Sequence, residues 1–138
     1  MAAIITSTAN DLSTYVSMKG SWQRRKAWLG EHTNKADEWN GRSHSDVYQD
    51  YYELWKMMMQ ARKPDAVFAE IRSFYCGEDV LRLVGKLATA LEAIGNAKTE
   101  SAVEPLIKEE DKVFESLIDA MSDELRKVAS RERACRPQ

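Results

Sequence analysis

Between Thr99 and Arg131 apolar residues recur every three or four positions, and this spacing constrains the fold more than any other feature of the chain. Val103, Leu106, Ile107, Val113, Phe114, Leu117, Ile118, Met121, Leu125 and Val128 fall on one side at about 100° per residue, which predicts a long amphipathic helix. Its start is marked by Thr99 and Ser101 as candidate caps, with Ser101 and Glu104 at capping-box spacing. Pro105 is read as a first-turn proline, tolerable where N–H groups have no helical partner. Acidic residues near the start and Arg126, Lys127, Arg131 and Arg133 near the end both suit the helix dipole.

The same periodicity predicts a helix over 78–95, with Val80, Leu81, Leu83, Val84, Leu87, Ala88, Leu91 and Ile94 inward and Gly95-Asn96 as its stop. Pro64 opens a shorter helix that buries Val67, Phe68, Ile71, Phe74 and Tyr75 and ends at Gly77. Ser43 and Asp46 introduce a helix over 44–61 with Val47, Tyr48, Tyr51, Leu54, Trp55 and Met58 inward. The short connection at Arg62-Lys63 predicts that this helix and the next form a hairpin. Upstream the pattern weakens. Leu12, Tyr15 and Val16 suggest a helix that Gly20 interrupts, and Trp22, Leu29, Thr33 and Ala36 suggest another over 21–37, with Trp28 pointing the opposite way.

Six glycines and three prolines in 138 residues leave little material for tight turns, so few and long elements are expected. The expectation is an all-α fold: one compact domain over 1–138, a bundle of five or six helices. Residues 1–42 would be peripheral helices, 43–131 the helical core and 132–138 a flexible tail. No stretch approaches the ~18 apolar residues of a spanning helix, and the opening Met-Ala-Ala-Ile-Ile-Thr lacks a basic n-region, so a soluble protein without membrane association is expected. Cys76 and Cys135 are too few for a disulfide framework; reduced thiols and a cytoplasmic location are expected, with the nucleus as the other option.

No Glu-x-x-His, His-Glu-x-x-His, calcium loop, Gly-x-Ser-x-Gly or glycine-rich phosphate loop occurs, so no cofactor, metal or catalytic residue is assigned and the chain is read as non-enzymatic. His32 and His44 are read as surface residues, and Cys76, followed by Glu78 and Asp79, is a poor nucleophile.

Three features bear on binding. First, Glu110 lies near the centre of the apolar arc of the final helix. A lone carboxylate there needs an exposed turn, an Arg or tyrosine partner from a neighbouring helix, or a role in a self-association seam or partner groove. Second, Tyr48, Tyr51, Tyr52 and Trp55 crowd one helix, while Met57 and Met59 are hard to bury in a monomer; these residue types suit core packing or a protein interface. Third, Lys19, Trp22, Arg24, Arg25, Lys26 and Trp28 interleave base and aromatic, as nucleic-acid segments do. Net charge is −2, but residues 19–35 carry five Lys/Arg against one Glu, while residues 100–124 carry nine Asp/Glu against two Lys. The basic tail from Arg126 completes the alternative nucleic-acid surface.

Trp39-Asn40-Gly41 sits between two predicted helices, with Tyr48 and Trp55 following, and Tyr75 stands four residues before Asp79. This resembles the Trp-x-Gly turn and the Tyr-x-x-x-Asp/Glu export spacing of the small helical-hairpin proteins exported by specialised bacterial secretion systems. Those proteins are shorter and hold one hairpin, whereas here two strong helices follow, and Gly77 interrupts the Tyr75–Asp79 pair. The resemblance implies a helical hairpin around Trp39 and no more. The sequence therefore reads as an α-helical protein–protein interaction module (a regulator, inhibitor, adaptor or assembly subunit) acting as a homo-oligomer.

Overall fold

A computed structural model describes residues 2–131, with side chains from 7 to 127. Helix α1 spans Ala2–Glu31 and leads into a minimal antiparallel hairpin, β1 (Glu38–Trp39) and β2 (Arg42–Ser43). Helices α2 (His44–Gln60), α3 (Pro64–Phe74), α4 (Glu78–Asn96) and α5 (Glu100–Arg131) follow. The all-α class holds, with two residues per strand as its only sheet among the described residues. The two helices expected before residue 38 are one, because α1 runs unbroken where a stop at Gly20 was expected, and five helices are described. The tail 132–138 and Cys135 lie outside the described residues.

Gly20 serves packing instead. A Cβ there would stand 3.0 Å from Cδ1 of Ile107, so the missing side chain lets α1 and α5 come close. Helix α1 is central to the bundle, in contact with α2, α3, α4 and α5, which corrects its expected peripheral place. It buries Leu12 and Val16 in the main core with Val67, Phe68 and Ile71 of α3, Val84 and Leu87 of α4, and Leu117 and Met121 of α5. Farther along, Ala27 joins Val103 and Ala97 in a second cluster. Gln23 is buried too, and its Nε2 donates to the Ala97 carbonyl at 2.7 Å, tying α1 to the turn between α4 and α5. Buried polar residues, Thr8 and Gln23, blur the periodicity that would have shown this face. Trp28 belongs to it at 2% exposure, whereas Trp22 stays half-buried, the reverse of the expected orientation.

Helices α2 and α3 do not pack on each other, contrary to the expected hairpin. The inward face of α2 meets α1 and the β-hairpin, while α3 turns Val67, Phe68 and Ile71 into the core, leaving Phe74 exposed. Leu81 of α4 is exposed as well. Asn40 (φ 52°) and Gly41 (φ 80°) form the two-residue turn between Trp39 and Arg42, the left-handed pair that a tight hairpin demands. At α5 the cap is Thr99, whose Oγ1 accepts from the Ala102 N–H at 3.2 Å. Pro105 therefore lies inside the helix, not in its first turn. Glu124 of α5 supports the start of α4, its carboxylate accepting from the N–H groups of Cys76 (3.2 Å) and Gly77 (2.7 Å). Cys76 is disulfide-bonded, which corrects the expectation of a reduced thiol and removes its support for a cytoplasmic location. Among the described residues no helix is long and apolar enough to cross a membrane.

Candidate functional site

Helix α2 is capped by Ser43, whose Oγ accepts from the Asp46 N–H at 3.2 Å. From there Val47 and Met58 are buried, and they are the residues α2 buries fully. Helix α2 seats on α1 and the small hairpin, and the rest of its surface is open. Tyr48 (57% exposed), Tyr52, Trp55 (42%) and Met59 follow one another at spacings of four, three and four and so form one stripe on the outer face. Tyr48 and Trp55 were expected inward; they face outward because no second layer covers α2. Within the stripe the rings of Tyr52 and Trp55 stack at 6.1 Å, and Lys56 Nζ lies 5.3 Å from the Tyr52 centroid. Tyr51 belongs to the inner edge, stacked on Trp22 at 5.6 Å. Met57 is exposed but lies off the stripe.

The basic and aromatic residues of α1 are divided between several environments. Arg24 pairs with Glu104 of α5. Arg25 lies 3.9 Å from Asp50, which also holds Arg42 at 2.8 Å, and sits 5.2 Å over the Trp39 ring. Lys19 and Lys26 bracket the Trp22 ring at 5.3 and 4.9 Å. Trp28 is the centre of a ring cluster that spacing alone did not reveal, stacked on His32 at 4.6 Å and tilted toward His44 at 5.5 Å and Trp39 at 6.2 Å. His32 shares a hydrogen bond with the Trp28 carbonyl (3.0 Å) and His44 with the His32 carbonyl (2.9 Å), so both are half-buried members of this cluster and not surface residues. Trp39 Nε1 donates to Glu100 at 3.1 Å, fastening the Trp39-Asn40-Gly41 turn to the start of α5. Tyr75 is buried in the core, with the break before α4 between it and Asp79.

Glu110 stands apart from the α2 stripe. It is fully buried between α5 and α1, and among the described residues no donor reaches either oxygen. Among the described residues neither the exposed turn nor the Arg or Tyr partner that the sequence allowed is present. Burial first, and the neighbouring Asp111 second, push its pKa up to about 8. A cleft of about 350 Å³ opens beside it. Among the described residues no three His, Cys, Asp or Glu side chains lie together in a way that could hold a metal ion. No family model, curated protein or solved structure matches this chain.

Proposed function

We propose that this protein is a non-enzymatic α-helical interaction module that self-associates through the outer face of α2. The observation that carries this reading is the stripe Tyr48, Tyr52, Trp55 and Met59, large apolar side chains exposed in a row on one helix. Their four-three-four spacing is that of a coiled-coil seam. An antiparallel pairing with a second copy sets Tyr52 against Trp55 and Tyr48 against Met59, with the helix dipoles opposed. Tyr, Trp and Met are also the residue types enriched in protein interfaces. Light scattering over a concentration series tests it: a dimer in the micromolar range is expected, and Tyr52→Ala with Trp55→Ala should return a folded monomer. A wild type that stays monomeric well above that range removes the self-association reading, and a double variant that still dimerises moves the interface elsewhere.

Within residues 19–28 the nucleic-acid alternative retains Trp22 bracketed by Lys19 and Lys26, while most of its other element, the basic tail from Arg126, lies outside the described residues. With Trp28 buried and Arg24 and Arg25 engaged within the chain, it has fewer groups to offer than the sequence suggested. Phosphate binding falls steeply with salt through counterion release. The expected result is no shift of DNA or RNA at low salt; a shift that Lys19→Ala with Lys26→Ala abolishes would establish the alternative.

A further inference from the structure

We propose that the cleft between α1 and α5 binds a small organic ammonium ion, with the Glu110 carboxylate as its counter-ion. Helix α1 supplies Ser13, Ser17 and Ser21, spaced four residues apart and therefore in one row, whose hydroxyls can accept N–H bonds. Gly20 brings α1 close to Ile107, and Val16, Ile107 and Phe114 give the cleft apolar walls beside the polar row. Glu110 lies at its inner side, fully buried, and among the described residues no donor reaches either of its oxygens. A buried acceptor pair without donors is a polar cost that an incoming cation with several N–H groups would remove.

The charges around the cleft favour a cation. Asp111 of α5 faces it together with Glu110, and the facing charge of α1, Arg24, is paired with Glu104. The absence of any three clustered ligands among the described residues points away from a bare metal ion, and the apolar walls point toward an alkyl group on the nitrogen. A volume of about 350 Å³ limits the guest to a small molecule. Because Glu110 holds its proton near neutral pH, the exchange is balanced: the ammonium enters and one proton leaves the carboxyl for solvent. The site lies on a different surface from the α2 stripe and does not depend on that reading.

The probe is n-butylammonium, followed by amide chemical shifts of the full chain, with n-butanol as the neutral counterpart. Saturable shifts centred on Ser17, Ser21 and Phe114 are expected with the amine and not with the alcohol. Affinity should rise about tenfold between pH 7 and pH 9 as Glu110 becomes ionised. Glu110→Gln should keep the fold, weaken binding at least about tenfold at pH 9 and abolish its pH dependence. Ser17→Leu, which fills the cleft from an exposed position, should block binding while leaving the core intact. No saturable shifts at millimolar amine, equal response to n-butanol, or Glu110→Gln binding like the wild type would each overturn the proposal.

Discussion

Glu110 sits where α5 would ordinarily carry an apolar side chain, and its proton makes that position tolerable. An unfolded glutamate titrates near 4.3, whereas in the fold burial, reinforced by Asp111, raises the value to about 8. The native state thus binds the proton more tightly than the unfolded chain. Stability contributed by this group is complete at low pH and is lost as pH rises between those two values, at a limiting slope of about 1.4 kcal/mol per pH unit. Solvent at the mouth of the cleft makes the realised slope shallower. Denaturant unfolding at pH 5, 7 and 9 checks this: Glu110→Gln should match the wild type near pH 5 and exceed it at pH 9. If the variant shows no relative gain at pH 9, the carboxyl is not held protonated. A second residue-scale test concerns Gly77, where a Cβ would collide with Oε1 of Glu124. Gly77→Ala should swing that carboxylate away from the start of α4 and cost about 1 kcal/mol, the usual worth of a cap. Glu124→Ala should cost a similar amount, and thermal unfolding of the double variant should show no further loss, because both remove one interaction.

Elements whose buried residues are apolar, Glu110 of α5 excepted, could be read directly from the chain. Helices α4 and α5 lie within a residue or two of their expected bounds, and Val80, Leu87, Leu117 and Met121 occupy the core as their spacing required. Helix α1 could not be read this way, since Thr8 and Gln23 share its buried face and Gly20 looks like a stop. The close approach to Ile107 that explains Gly20 is a long-range fact with no local signal. The same limit applies to Glu110: its place on the apolar arc was legible, but its surroundings depend on which face α1 presents. For α2 the helix was legible and its orientation was not, because Tyr, Trp and Met serve equally well in a core or on an interface. Gly20→Val tests the account of α1. The β-branched side chain must displace Ile107 and part α1 from α5, so a loss of about 1–3 kcal/mol is expected in denaturant unfolding. A neutral or stabilising outcome would mean that the two helices have room to spare and that Gly20 marks only a tolerated helix residue.

Across the whole molecule the packing is uneven, and this has a measurable consequence. Helices α4 and α5 run along each other and share most of the buried apolar residues with α1 and α3. Helix α2 buries only Val47 and Met58 fully and, among the described residues, packs only on α1 and the small hairpin. Its other ties to α1 include the rim contacts of Tyr51 on Trp22 and Asp50 with Arg25, which contribute little each, and His44 against the buried Trp28 ring. Local opening free energy follows buried apolar contact, so the hairpin and α2 should open before the rest of the bundle. In native-state hydrogen exchange at low protein concentration, backbone amides between residues 48 and 60 should exchange through a sub-global opening, while those of α4 and the middle of α5 exchange only on global unfolding. Self-association through α2 predicts something more. A second copy that binds only the closed helix stabilises it by mass action, so protection of residues 48–60 should rise with protein concentration while that of α4 changes little. Tyr52→Ala with Trp55→Ala should remove the concentration dependence without lowering the protection of α4, since both side chains are exposed. Protection of α2 equal to that of α4 at the lowest concentration would show that its seat on α1 is as firm as the core. Protection that is low and independent of concentration would leave α2 peripheral but unpaired, and the self-association reading would then fall on the same measurement.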